Sequence, residues 1–308
     1  MKVWIARLAV ALGVLVTLPA LAVEVAFKQV AKDVYAYIGE TEGRTYDNEG
    51  LNANIGLVVT PVGAVLIDSG SSYQVAAKLA AAAKQVTDQP IKWVINTGGQ
   101  DHRWMGNGYF KAQGAEVIAH ANAQADMLAR GPEHMNALKT VLKERLDGTQ
   151  PVLPGRFLTG DDTQLILGGT VLEFKYRGGG HTPGDMLVWL PQKRVLFTGD
   201  VVYVDRILGL IPVSKTQAWV QSFAAIDPLN PDVIIPGHGG VTTLRQAQTQ
   251  TRDLLRALRA HMKKAVDEGV DIGAAVKSFD AAAFASLQHA EVWIPQLANL
   301  TYLEMERE

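Results

Sequence analysis

Apolar residues in this chain change their period several times, and each change marks an element. From 23 to 39, VEVAFKQVAKDVYAYIG alternates apolar and polar side chains, as a half-buried strand pair does. Residues 41–52, TEGRTYDNEGLN, break the alternation with turn formers and charge and read as a loop. NIGLVVT and GAVLIDSG are apolar runs around Pro61, Val62 and Gly63, which predicts two strands and a tight turn. SSYQVAAKLAAAAKQVT then shifts to helical spacing; Ser71 or Ser72 can cap it, and alanine is the strongest helix former. IKWVINTG returns to a strand, so this region is a strand–helix–strand unit of a layered protein. AEVIAH predicts a short strand and ANAQADMLARG a helix. The polar stretch 131–157 keeps helical spacing at Met135, Leu138, Val141 and Leu142, and His134 within it is expected in solvent.

The second half repeats the alternation of strands and helices. QLILGGTVLEF reads as a hairpin, MLVWL and RVLF as strands around the turn PQK, and VII as a further strand. The loop after Asp200 carries Ile207, Leu208, Leu210 and Ile211, either as lining of a pocket or as plain core. A helix is expected near 215–225. From 243 to 268 Leu254, Leu255, Leu258, Met262 and Val266 recur at helical intervals, with His261 on the polar, surface flank. Two short helices and a last one over 294–308 complete a helical layer that begins at about residue 243. No repeat and no low-complexity linker divides the chain, so residues 23–308 read as one domain.

Charge and composition narrow the function. The formal net charge is -2 and no basic face is visible, which argues against a nucleic-acid partner. The absence of cysteine removes disulfides and thiolate metal ligands. Residues 1–22 have the form of a secretory signal peptide: Lys2 and Arg7, the apolar run LAVALGVLVTLPA, then Ala20-Leu21-Ala22 before the cut. The apolar run falls short of the roughly 20 residues that span a bilayer, so no membrane anchor is expected after cleavage. A periplasmic protein beginning near Val23 is the expectation.

Chemistry concentrates in YRGGGHTPGDMLVWLPQKRVLFTGD (176–200) and in the later Pro236-Gly237-His238-Gly239. His181, Asp200 and His238 each stand at the end of an apolar run beside glycines, where the backbone is rigid and a ligand can approach it closely. Imidazole and carboxylate are ordinary zinc ligands. Over roughly residues 50 to 240 the chain resembles the metallo-beta-lactamase superfamily, glyoxalase II included. That resemblance implies an α+β fold, a four-layer αββα sandwich, here with extra C-terminal helices; the two sets of strands interleaved with helices agree. It also implies that His181 and His238 are metal ligands, that Asp200 bridges two metals, and that Asp68 supports the site from beside it.

The family signature Thr-His-x-His-x-Asp-His is altered here. Thr97-Gly98-Gly99-Gln100-Asp101-His102-Arg103 lacks the first two histidines, and neither Gly98 nor the Gln100 amide replaces them as a ligand. Without a gap, His102 takes the place of the aspartate and Arg103 that of the last histidine. A one-residue shift instead matches Asp101 and His102 to the Asp-His pair, and is preferred because that pair is otherwise unexplained. The expected set for one zinc per chain is then Asp101, His102, Asp200 and His238. His181 is freed to act as a base, and Asp200 or Asp101 orients the attacking water. Iron prefers more histidines than remain. NTGGQDHRW also resembles a subgroup linked to periplasmic quinoprotein dehydrogenase systems. The expected function is a periplasmic zinc hydrolase of a thioester, ester or lactam in a small-molecule substrate. The alternative is a non-catalytic accessory protein of such a dehydrogenase.

Overall fold

The computed structural model describes residues 23–308; the expected signal peptide, residues 1–22, lies outside them. The alternating and apolar runs become two sheets. The first holds β1 (Lys28–Ala31), β2 (Val34–Tyr37), β3 (Ile55–Thr60), β4 (Gly63–Ile67), β5 (Ile91–Ile95), β6 (Glu116–His120) and β7 (Arg156–Leu158), side by side in chain order. Its first three pairings are antiparallel hairpins. From β4 onward the strands run parallel, because helices return the chain between them. The second sheet holds β8 (Asp162–Leu167), β9 (Thr170–Tyr176), β10 (Met186–Leu190), β11 (Val195–Phe197) and β12 (Val233–Ile235), in spatial order β12-β11-β10-β9-β8. Only β11 and β12 pair in parallel there.

The sheets face each other across one core. Val58, Val65 and Ile95 of the first pack with Phe174, Val188 and Phe197 of the second. Strands buried on both faces must be apolar throughout, which is why GAVLI, MLVWL and VLF do not alternate. On the outer face of the first sheet lie α1 (Tyr73–Lys84), α2 (Asp101–Trp104), α3 (Asn107–Ala112) and α4 (Ala121–Leu142). Ser72 caps α1 by accepting a hydrogen bond from Val75 N. Over the second sheet lie α5 (Thr216–Ala224), α6 (Leu244–Ala247), α7 (Asp253–Asp267), α8 (Ile272–Ser278) and α9 (Ala290–Met305). The order of layers is αββα, with the C-terminal helices added to the second helical layer. No described helix is long and apolar enough to cross a membrane.

Three helical details differ from the sequence reading. The segments expected to part near residue 131 form one helix, α4, which continues through Pro132. Met127, Gly131, His134 and Leu138 therefore share its inner face, at intervals of three and four. His134 is accordingly buried against Trp104, not in solvent. Residues 243–268 are not one regular helix: a π-turn over Gln248–Arg252 separates α6 from α7. That turn places the Thr251 hydroxyl on the backbone of Tyr203, accepting from its N–H at 3.0 Å and donating to its carbonyl at 2.5 Å. His261 is half-buried rather than on the surface, with Nε2 at 2.9 Å from the Ala275 carbonyl.

Candidate metal centre

The ends of four strands converge at one edge of the sandwich. β4 delivers Asp68, β5 runs through Thr97 into α2, β11 delivers Asp200, and β12 delivers His238. Asp68 adopts φ of 68°, a left-handed conformation that a non-glycine residue avoids unless its surroundings impose it. Its carboxylate accepts from Thr97 N at 2.7 Å, Thr97 Oγ1 at 2.8 Å and Arg103 Nη1 at 2.9 Å. Asn54 fixes the last strand end by donating from Nδ2 to the Pro236 and Gly239 carbonyls.

Within this frame His102, Asp200 and His238 come together. His102 Nε2 stands 3.2 Å from Asp200 Oδ2, and His238 Nε2 stands 3.2 Å from Asp200 Oδ1. The three potential ligand atoms lie within 4.8 Å of one another, and all three residues are buried. Behind Asp200 lies Arg103, also buried, donating to it from Nη2 at 2.6 Å and from Nε at 3.2 Å. The same guanidinium reaches Asp68, the Asn54 carbonyl and the Gly237 carbonyl.

Two residues of the expected site stand outside this cluster. Asp101 and His102 are successive residues of one helical turn, so their side chains diverge by about 100°. Only His102 faces Asp200. One Asp101 oxygen accepts from His102 N at 2.8 Å and lies 3.5 Å from His102 Nδ1; the other forms an ion pair with Arg44. The geometry is that of the gapless register, with Arg103 beside Asp200, and not of the shifted one. His181 lies across the cavity, its Nδ1 at 2.8 Å from the Gly209 carbonyl. The places of the two absent histidines are filled. A Cβ on Gly98 would collide with Asp185 Oδ1, and Gln100 is held between Asp101 at 3.3 Å and Arg130 at 3.2 Å.

Burial and neighbouring charge set the protonation states. Burial opposes the charge on Asp200, but Arg103 and the facing imidazoles outweigh it and hold the carboxyl well below its usual range. Burial also opposes the charge on Arg103, and Asp200 with Asp68 more than restores it. Asp68, buried, is pushed up to about 6 although Arg103 and Thr97 pull it down. Burial holds the His102 imidazole well below the ordinary value, lowers that of His181, and brings His238 down to about 4.

The hydrogen bonds of His238 test whether a metal ion fits. Nδ1 lies 2.9 Å from the Asn52 carbonyl, so it carries the proton. A neutral ring then aims the Nε2 lone pair at an ionised carboxylate 3.2 Å away. Two acceptors held at that distance repel unless a proton or a metal ion is shared between them. Arg103 with Asp68 and Asp200 carries a net charge of -1 (one guanidinium against two carboxylates), which complements one. The Asn52 carbonyl behind His238 Nδ1 is the usual outer partner of a ligating imidazole, whereas His102 Nδ1, 3.5 Å from the Asp101 carboxylate, has no hydrogen-bond partner among the described residues. The residues present fit a divalent ion.

A cavity of about 270 Å³ opens over the cluster, bordered by His102, His181 and His238 and by Arg44, Tyr203 and Arg206. The Tyr203 ring stacks on His238 with centroids 4.7 Å apart, and it is Tyr203 that the π-turn secures. Of the apolar loop residues, Ile207 and Leu208 are fully buried core, whereas Leu210 and Ile211 border the cavity. The sequence reading missed Asn54, Tyr203 and the ion pairs of Arg103 and Arg44. Arg206 carried a signal, as the one basic residue in the largely apolar run VDRILGLIPV.

Residues 48–238 match the model described as the metallo-beta-lactamase superfamily. Metallo-beta-lactamase type 2 of Bacillus sp. (strain 170) is 28% identical over 222 residues, 70% of this chain and 77% of that protein. The protein of the same name from Bacillus cereus is 28% identical over 238 residues, 75% of this chain and 83% of its own. Among solved structures, the metallo-beta-lactamase from Pontibacter korlensis superposes with a TM-score of 0.59 at 24% identity, covering 75% of this chain and 99% of the other.

Proposed function

Since this chain belongs to the metallo-beta-lactamase superfamily, we propose that it is a metal-dependent hydrolase with one zinc on His102, Asp200 and His238. The observation that carries this reading is the His238 lone pair facing the Asp200 carboxylate at 3.2 Å. Zinc bound there would bring the pKa of a bound water to about 7 and polarise a scissile carbonyl. The protein's own residues do the remaining work. Arg103 fixes both oxygens of Asp200, and Asp68 fixes Arg103, so the carboxylate presents one orientation. Asp101 accepts from the His102 backbone N–H and pairs with Arg44, and the expected role of orienting water falls to Asp200.

His181 donates from Nδ1 to the Gly209 carbonyl, which leaves Nε2 as an acceptor in a neutral ring. Placed on the cavity wall, it is suited to take a proton from water or to hydrogen-bond a substrate group. The proposed substrates are small molecules with a thioester, ester or lactam bond. Export to the periplasm with cleavage after Ala22 and a periplasmic dehydrogenase as partner are carried forward from the sequence as proposals.

Zinc content measured beside activity on a thioester, ester and lactam panel tests the reading. The parent should hold about one zinc per chain. His238→Ala should lose the metal. His181→Ala should keep it while activity falls roughly 10²–10⁴-fold, the worth of a positioned acid or base. Equal metal loss in both variants would make His181 a ligand and overturn this division of the site. No zinc uptake by the parent would favour the accessory-protein reading.

A further inference from the structure

Arg206 is a charge that the metal cluster does not explain. It is only 3% exposed. Nε donates to the Ile207 carbonyl and Nη1 to the Glu42 carbonyl, each at 3.3 Å, and no carboxylate pairs with the guanidinium among the described residues. Its carbon lies 4.5 Å from the centroid of the Trp293 ring and 5.9 Å from that of Tyr203. Aromatic faces and neutral carbonyls only partly replace water around a cation, so a desolvated guanidinium demands a counter-ion. The open direction is the cavity, which Arg206 borders together with the three histidines.

The charges around that cavity point the same way. Arg44, Arg103 and Arg206 stand against Asp68, Asp101 and Asp200 at the cavity, with the exposed Glu42 carboxylate as a further negative charge near Arg206. A divalent ion on the cluster would leave the cavity net positive. Besides the amides of Asn52, Gln100 and Gln296, the wall carries an apolar group of Leu210, Ile211, Leu297 and the Trp293 ring. Trp293 and Leu297 come from α9, beyond the residues that match the family model. The α9 half of this wall is therefore added by the C-terminal helices, and Leu210 and Ile211 supply the other half from the loop after Asp200.

We propose that the cavity binds a small organic carboxylate, with its carboxylate on Arg206 and its apolar body against Trp293, Leu297 and Ile211. Nη2 of Arg206 makes no hydrogen bond among the described residues and is the donor that meets the ligand. The proposal names the substrate class of the hydrolase above and rests on that reading only for calling the acid a substrate. Binding is measured without turnover.

The test uses 3-phenylpropionate, its uncharged amide and inorganic sulfate as probes, with the full chain both zinc-loaded and metal-stripped. Calorimetry and tryptophan fluorescence read the binding, and zinc is assayed in every sample. The acid should bind one per chain in both forms and at least ~30-fold more tightly than the amide, as for a buried charge pair. Arg206→Gln should lose a similar factor while keeping its zinc, and Arg206→Lys should recover part of it. Equal binding of acid and amide would overturn the proposal, and so would undiminished binding to a folded Arg206→Gln. Binding confined to the zinc-loaded form would assign the carboxylate to the metal instead. Sulfate competing as strongly as the acid would make this an inorganic oxyanion site. If Arg206→Gln does not fold, the acid–amide comparison on the parent decides alone. Acid binding in a protein that takes up no zinc would sink the hydrolase reading and leave this one standing.

Discussion

Replacing Arg103 by methionine removes a charge and keeps much of the apolar stem. All five N–H donors of this guanidinium are used, on Asp200 twice, Asp68, and the Asn54 and Gly237 carbonyls. Its loss strands two buried carboxylates. Breaking one buried pair costs about 3–5 kcal/mol, and two carboxylates share this partner, so metal-free Arg103→Met should lose at least that much at neutral pH. The local charge of Asp68, Asp200 and Arg103 would change from -1 to -2. A divalent ion then offsets more repulsion in the variant than in the parent, and zinc should raise its stability further. The pH dependence has a definite sign. Asp68 already stands at about 6 with Arg103 pulling it down, so without Arg103 it rises. At pH 5 the stranded carboxyl is neutral, and the deficit should be smaller there than at pH 8. Urea unfolding of parent and variant, with and without zinc, at both pH values measures each quantity. A metal-free variant within about 1 kcal/mol of the parent would refute the reasoning. An equal gain from zinc in the two proteins would refute the electrostatic part of it.

Asp185 offers an independent titration. Burial, with Asp200 adding to it, pushes its carboxyl up to about 8, against an ordinary value of 3.8. The folded state keeps a proton that the unfolded chain gives up, so stability should fall as pH rises through that window, by about 1.4 kcal/mol per unit for this group. Asp185→Asn should flatten that part of the urea profile from pH 5 to 8, and an unchanged slope would rule out a protonated Asp185. Gly98→His, which restores a family histidine by name, should not restore a second metal site, because its Cβ would meet Asp185 Oδ1. A loss of roughly 1–3 kcal/mol from overpacking is expected, with zinc content no higher than the parent's; two zinc ions per chain would contradict it.

The sequence by itself was sufficient for the order of elements and the layered fold. Periodicity is a local property: GAVLI and MLVWL are apolar throughout because each is covered on both faces. The glycine-flanked positions of Asp200 and His238 could likewise be read without coordinates, since each is separated from an apolar run by two residues, and His181 follows the glycine run 178–180. The tertiary structure decided how those residues divide into a cluster and its surroundings. Asp101 and His102 are adjacent in sequence, but one helical turn sends their side chains to different partners, Arg44 and Asp200. No pattern of spacing distinguishes the two registers, because the choice depends on where α2 begins. The polar stretch around His134 predicts a solvated ring, yet a helix continuing past Pro132 turns it inward against Trp104. Taken alone, the positive charge of Arg103 beside metal ligands would repel a cation. In the fold it lies between Asp68 and Asp200, whose two charges outnumber its own. Whether a charge attracts or repels a metal is a sum over neighbours brought from distant strands, and that sum exists only once the strand ends have met.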